Sequence, residues 1–306
     1  MRIVSLLPSA TEIVYALGLE PVAVSHECDY PPAAAERPSV VRSRVDAGAS
    51  SGEIDRQVAD ATASGGVYEL DREALVDADP DLIVSQGVCE VCAVDTAQVT
   101  DAVRNLGLDA EVLTTDPHTV ADVLDDVERI GAATGREERA ADLVADLRGR
   151  IAAVEERART AAERAGRPRT AVLDWTDPVM VAGHWMPGLV ESAGGAYGMG
   201  EAGAASRPVE WAEVRASDPE VLVVAPCGFG IDQTLANAAD LTGREGWTDL
   251  TAVREGRVYV MDGHHYANRP GPRLVDTLEH LAGLLHPGTF DAPPADVARP
   301  LEAALA

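Results

Sequence analysis

A run of about thirty residues, 136–165, constrains the rest of this chain more than any other stretch. Leu143, Val144, Leu147, Ile151 and Val154 recur at helical spacing on one face, while Arg and Glu fill the others. Thr134 and Glu137 stand at capping-box spacing and predict the start; Gly166 and Pro168 predict the stop. At 1.5 Å per residue the helix would reach about 45 Å, longer than the ordinary helix of a compact domain. A segment of similar size lies on either side, and each alternates strand, loop and helix. The expected fold class is α/β: two α/β lobes with parallel sheets, joined by one long bridging α-helix. Residues 1–135 would form the first lobe, 136–166 the bridge, 167–288 the second lobe and 289–306 a peripheral tail. The competing reading makes the run a surface helix of one large domain.

The flanking segments support two lobes. Residues 2–7 predict a strand, turned by Pro8 and Ser9, with Ser9 and Glu12 again at capping-box spacing before a helix that ends at Gly18. Residues 82–85 are apolar on both faces, as in a covered parallel sheet. Residues 171–174, 221–225 and 258–261 predict strands in the second half. A weak internal repeat links the halves: Asp79-Pro80-Asp81-Leu82-Ile83-Val84 matches Asp218-Pro219-Glu220-Val221-Leu222-Val223.

Charge narrows the function. The net charge is -26, and all 25 basic residues are arginine, because the chain contains no lysine. Nucleic-acid phosphates would be repelled by such a surface. The same surface suits strong salt, where screening relieves self-repulsion. Without lysine, Schiff-base chemistry is excluded. No Gly-x-Ser-x-Gly elbow, phosphate-binding P-loop or His-Glu-x-x-His motif is present, so no enzyme is expected. The apolar residues 3–7 are too few for a secretion signal, Pro8 ends them and Glu12 follows. No run approaches the roughly 18 apolar residues of a membrane span. As written, the chain is expected to be a cytoplasmic monomer without membrane insertion, or extracytoplasmic if its start lies elsewhere.

Scarce residue types collect at predicted strand ends, where open parallel sheets bind ligands. All four cysteines are there, Cys28, Cys89, Cys92 and Cys227, with His26, His184, His264 and His265 and the aromatics Tyr30, Trp175, Trp185, Phe229 and Tyr266. If the lobes face one another, these residues line a ligand cleft between them. Each also has a plain structural reading: a lone cysteine is commonly a small buried hydrophobe, and the tryptophans suit a core. A permanent four-cysteine metal site would need a second Cys-x-x-Cys knuckle beside Cys89-x-x-Cys92, so Cys28, Cys89, Cys92 and Cys227 remain metal candidates only.

Several stretches carry a family resemblance. Residues 2–19 (RIVSLLPSATEIVYALGL) resemble the opening of the periplasmic-type binding proteins for cobalamin and iron siderophores. His26-Glu27-Cys28-Asp29-Tyr30-Pro31, residues 85–94 (SQGVCEVCAV), Gly183-His184-Trp185, Pro226-Cys227-Gly228-Phe229 and residues 268–273 (NRPGPR) resemble its cobalamin-binding branch. The resemblance implies two lobes on a rigid helix, ligand capture for an ABC importer and its permease, and no catalysis. An intracellular corrinoid carrier or sensor is the other role it allows. The implied ligand is cobalamin or a related corrinoid, with no permanent cofactor. A corrin is a wide apolar disc edged with amides and wants aromatic walls with a few placed polar groups. Expected ligand contacts are Pro8, Ser9, His26, Cys28, Asp29, Tyr30, Cys89, Glu90, Cys92, Trp175, His184, Trp185, Cys227, Gly228, Phe229, His264, His265, Tyr266 and Arg269. Arg42, Arg44 and Arg269 keep a ferric siderophore open as the alternative, with haem or a Cys/His-bound metal beside it.

Overall fold

The computed structural model describes residues 1–88 and 93–302. The chain forms two compact units. The first comprises Met1–Ala47, Arg56–Pro117 and Ala121–Asp146; the second comprises Gly48–Asp55, His118–Val120 and the chain from Leu147 onward. Two short segments from the first half of the sequence thus belong to the second unit.

The first half supplies strands β1 (Ile3–Ser5), β2 (Ala23–Ser25), β3 (Ser39–Ser43), β4 (Tyr68–Leu70), β5 (Leu82–Gln86) and β6 (Glu111–Thr115). Its helices are α1 (Pro8–Ala16), α2 (Ser51–Ala63), α3 (Arg72–Ala78), α4 (Thr96–Leu106) and α5 (Val120–Thr134), and they precede the long α6 (Glu137–Ala165). The sheet order is β4-β3-β2-β1-β5-β6, with every pair parallel except β3–β4. Every residue of β1 and β5 is buried, as the continuous apolar run at 82–85 requires of a sheet covered on both faces. Val4, Leu6, Val40, Leu75, Ile83 and Val99 share one core.

The second half supplies β7 (Arg169–Thr176), β8 (Val179–Val181), β9 (Ala196–Tyr197), β10 (Arg207–Pro208), β11 (Val221–Val224), β12 (Val258–Met261) and β13 (Ala298–Pro300). Its helices are α7 (Met186–Ser192), α8 (Trp211–Ser217), α9 (Ile231–Ala236), α10 (Ala239–Thr242), α11 (Thr251–Arg254) and α12 (Leu274–Leu285). The order is β10-β8-β7-β11-β12-β13, with β9 beside the start of β7. Strands β7, β11 and β12 are parallel, whereas β8 and β13 run against their neighbours. The 289–306 segment was expected to be peripheral. Instead its described part, 289–302, adds β13 to the sheet and buries Val297, Ala298 and Leu301.

At 29 residues, α6 spans about 43 Å. Its residues up to Asp146 belong to the first unit and those from Leu147 to the second. Ala140, Val144, Leu147, Val154, Ala158 and Ala161 form its buried stripe. In the first unit Arg139 Nε donates to the Ala16 carbonyl (3.1 Å). In the second, Arg150 forks onto Asp276 and Glu279 of α12, with 2.8 Å to Glu279 Oε2.

Both predicted capping boxes are corrected. Thr134 is the last residue of α5, and its hydroxyl donates back to the Ile130 carbonyl (2.7 Å). Gly135 (φ 66°) closes α5 with a Schellman pair: Gly135 N–H to Ala132 O and Arg136 N–H to Gly131 O. Ser9 lies inside α1, because Pro8 takes the first helical position and Leu7 becomes the N-cap without a side-chain bond.

The internal repeat is a repeated piece of structure. Asp79 (φ 43°) and Asp218 (φ 38°) each end a seven-residue helix in the left-handed region, each precedes a proline, and each leads into a buried strand. An arginine at the start of the neighbouring strand completes both copies: Arg2 immediately precedes β1, and Arg169 is the first residue of β7. Arg2 Nε donates to the Asp79 carbonyl (2.9 Å), and Arg169 Nε to the Asp218 carbonyl (3.0 Å). Their backbone N–H groups bond Asp81 Oδ2 (2.6 Å) and Glu220 Oε2 (2.8 Å) respectively.

Candidate functional site

In the first unit, parallel pairing of β1 with β2 brings their carboxyl ends side by side. Pro8 and Ser9 therefore lie at the same sheet end as His26–Tyr30. Ser9 is buried in the first turn of α1. The Thr11 hydroxyl lies 2.8 Å from Ser5 Oγ and 3.1 Å from Cys28 Sγ. Cys28 is itself buried among Val24, Ala34 and Tyr15, as a small hydrophobe would be. His26 sits 5.7 Å from the Tyr68 ring. Burial lowers the basicity of its imidazole, and the neighbouring Glu27 carboxylate opposes that. Asp29 is half-buried and Tyr30 exposed. Cys89, Glu90 and Cys92 lie outside the described residues. Of the four candidate metal-binding cysteines, the structure therefore describes two: Cys28, buried in the first unit, and Cys227, exposed in the second.

The second unit assembles most of the predicted contacts. The carboxyl ends of β7, β11 and β12 are neighbours in one parallel sheet. Past Leu173, β7 overhangs β11, and the Asp174 carbonyl accepts from the Cys227 N–H (3.0 Å). That bond sets Trp175 over the Pro226–Phe229 turn, with ring centroids of Trp175 and Phe229 5.0 Å apart and tilted by 57°. Trp175 is half-buried and Phe229 buried, so Phe229 supports the indole from below. Gly228 (φ 78°) turns the chain there, leaving Cys227 and Gly228 exposed.

The loop after β12 carries the histidines on a five-residue π-helical turn, Gly263–Ala267. Asp262 caps it by accepting the His265 backbone N–H (2.8 Å). The other Asp262 carboxylate oxygen lies 2.7 Å from His265 Nδ1. Since a carboxylate only accepts, Nδ1 carries a proton. Burial would raise the Asp262 carboxyl, but the His265 side-chain and backbone hydrogen bonds outweigh it and hold it below its ordinary value. His264 takes the same Nδ1–H tautomer, because Arg269 donates to its Nε2 (2.9 Å). Arg269 is buried. Tyr266 turns away to stack edge-on with His280 (5.6 Å), under the Arg273 guanidinium.

His184 and Trp185 reach the site by another route. Because β8 is antiparallel, the chain doubles back, and Ala182 N–H bonds the Val172 carbonyl (2.9 Å). The loop thus leaves the sheet near the level where β11 ends, not beyond Trp175. Trp185 is buried and donates its Nε1–H to the Ala267 carbonyl (2.9 Å), so it braces the histidine turn from inside the unit.

Three side chains outside the predicted set join this region. Asp262 orients His265. Asp174, at the end of β7, has a buried Oδ1 with no partner among the described residues, and burial pushes its carboxyl up while the Ser206 hydroxyl opposes that. His118 meets His184. Asp262 had a local signal, three residues before His265 at a strand end. Neither Asp174 nor His118 had one, because their partners are remote in sequence.

The sequence pattern of the family described as "Periplasmic binding protein" matches residues 3–264. This chain belongs to that family. As a periplasmic binding protein it captures a small-molecule solute without catalysis. An ABC transporter substrate-binding lipoprotein of Bacillus subtilis is 25% identical over 298 residues, covering 94% of this chain and 81% of the relative. A cobalamin-binding protein of Halobacterium salinarum is 25% identical over 295 residues, covering 94% and 70%. The solved structure of a periplasmic haem-binding protein from Pseudomonas aeruginosa superimposes with a TM-score of 0.74 at 21% identity, covering 97% and 96%. The expected cytoplasmic location is overturned by these findings: the family is periplasmic, and the Bacillus subtilis relative is a lipoprotein. No described helix is long and apolar enough to cross a membrane.

Proposed function

We propose that this periplasmic binding protein captures cobalamin or a related corrinoid and hands it to the permease of an ABC importer. The observation that carries the reading is the group at the carboxyl ends of β7, β11 and β12. The Trp175 indole rests on Phe229, and Asp262 fixes the His265 ring through its Nδ1–H. A corrin needs a flat apolar support and, at its cobalt, either its own base or a nitrogen from the protein. A metal-binding histidine commonly donates its other ring N–H to a carboxylate, as His265 does. Pro8, Ser9, His26, Asp29 and Tyr30, at the carboxyl ends of β1 and β2, are the candidate contacts of the first unit. The cobalamin-binding relative supports the same ligand. An oriented imidazole equally suits haem iron, so haem is the second reading. A ferric siderophore is less favoured: Arg42 pairs with Asp71, and Arg269 is buried against His264.

The test is calorimetry and visible absorption with aquacobalamin, haem and a ferric hydroxamate. Cobalamin should bind with one-to-one stoichiometry. Trp175→Ala should weaken it about 5- to 30-fold, the loss of one stacked aromatic being worth about 1–2 kcal/mol. Tight binding of haem with no heat from cobalamin would replace the proposal with its second reading.

A further inference from the structure

We propose a second site on the second unit, independent of the corrinoid reading: a two-histidine site for a divalent transition-metal ion, built from His118 and His184. His118 belongs to the His118–Val120 segment, which lies between β6 and α5 in sequence but in the second unit in space. His184 follows β8. Their Nδ1 atoms face each other at 3.4 Å, with ring centroids 5.4 Å apart and planes inclined by 41°.

Facing imidazole nitrogens can share a proton or share a metal ion. A direct nitrogen–nitrogen hydrogen bond at 3.4 Å is a long one. Two imidazole nitrogens sharing one tetrahedral ion, each bonded at about 2.0–2.1 Å, stand about 3.4 Å apart. The ring centroids then fall about 5 Å apart, because each ring extends directly behind its nitrogen. Both observed separations fit the shared ion.

The surroundings hold the two rings in place. His184 adopts φ 50°, a left-handed conformation that is strained for a non-glycine residue. Its backbone is clamped on both sides, N–H to the Ala204 carbonyl and carbonyl to the Gly203 N–H (2.9 Å). Gly183 makes that clamp possible, since a Cβ there would overlap the 204–206 backbone. The His184 ring stacks on Trp185 (5.6 Å, 29°), and Trp185 is pinned to Ala267. Thr119 packs near Gly203, so the residue after His118 meets the same turn. Both rings are half-buried, which leaves solvent access for water to complete the coordination shell. Two imidazoles select zinc, copper(II), nickel or cobalt(II) over magnesium or calcium. A bound ion would clasp the 118–120 segment to the 183–185 loop.

The experiment is isothermal titration of the metal-stripped full chain with zinc chloride, and cobalt(II) substitution followed by visible absorption. Wild type should bind one ion whose cobalt spectrum shows nitrogen ligation. His118→Ala and His184→Asn should each weaken binding tenfold or more; asparagine is chosen because it tolerates the left-handed backbone. Zinc should raise the melting temperature of wild type and leave both variants unmoved, which separates loss of the site from loss of the fold. His264→Ala should retain the ion. Equal zinc affinity in wild type and the two variants, or no stoichiometric binding by wild type, overturns the proposal.

Discussion

Asp126 offers a direct measure of what burial costs in the first unit. It lies on α5, is 4% exposed, and its Oδ2 has no partner among the described residues. Arg129 reaches Oδ1 at 2.6 Å but is itself half exposed. Burial outweighs that ion pair, and with Asp122 and Asp116 adding repulsion the carboxyl is pushed up to about 6 from an ordinary 3.8. A raised carboxyl binds its proton more tightly in the folded state. Stability contributed by the protonated group is therefore present at low pH and is lost as pH rises from about 4 to about 6. At about 1.4 kcal/mol per pH unit, the ionised form costs the folded state about 3 kcal/mol at pH 7. Asp126→Asn mimics the protonated form at every pH and keeps an acceptor for Arg129. Urea unfolding of both proteins at constant high salt, from pH 4 to pH 7, should show near-equal stability at pH 4 and a variant more stable by about 3 kcal/mol at pH 7. A difference that stays flat with pH, or a variant less stable at both ends, would refute the reasoning and mean that Oδ2 has a donor worth keeping.

Three further outcomes follow from the geometry and the charge. Gly131→Ala should destabilise by about 1–3 kcal/mol, because its Cβ would overlap Ala140 of α6 and lie 3.3 Å from the Arg136 carbonyl. Gly149→Ala, on the same long helix with nothing within 4 Å, should stabilise by about 0.5–1 kcal/mol; equal thermal shifts for the two would show that neither site is governed by packing. With a net charge of -26 and no lysine, the melting temperature should rise steadily from 0.1 to 2 M sodium chloride, and a flat profile would remove self-repulsion from the account.

Features that rest on short-range chemistry were legible in the amino-acid order. The stripe on α6 shows as an apolar period because a helix repeats its face every three to four residues. The Asp-Pro repeat marks the same turn in both halves, because Asp tolerates a left-handed helix end and proline prevents the helix from continuing. The clustering of His and aromatic residues at the ends of β7, β11 and β12 followed from strand prediction alone, since parallel strands place all their carboxyl ends on one side. Tertiary structure decided the rest. Thr134 and Ser9 had the right spacing for caps, yet Gly135 closes α5 and Pro8 opens α1 first; spacing alone does not rank rival end signals. The reversal of β8, which re-aims His184 and Trp185, and the late return of β13 to the sheet edge depend on pairings that no local pattern encodes. Furthest from the sequence is the meeting of His118 with His184, 66 positions away. Their contact exists because residues 118–120 pack with the second unit, and such packing energy is shared among remote segments instead of being written into either one.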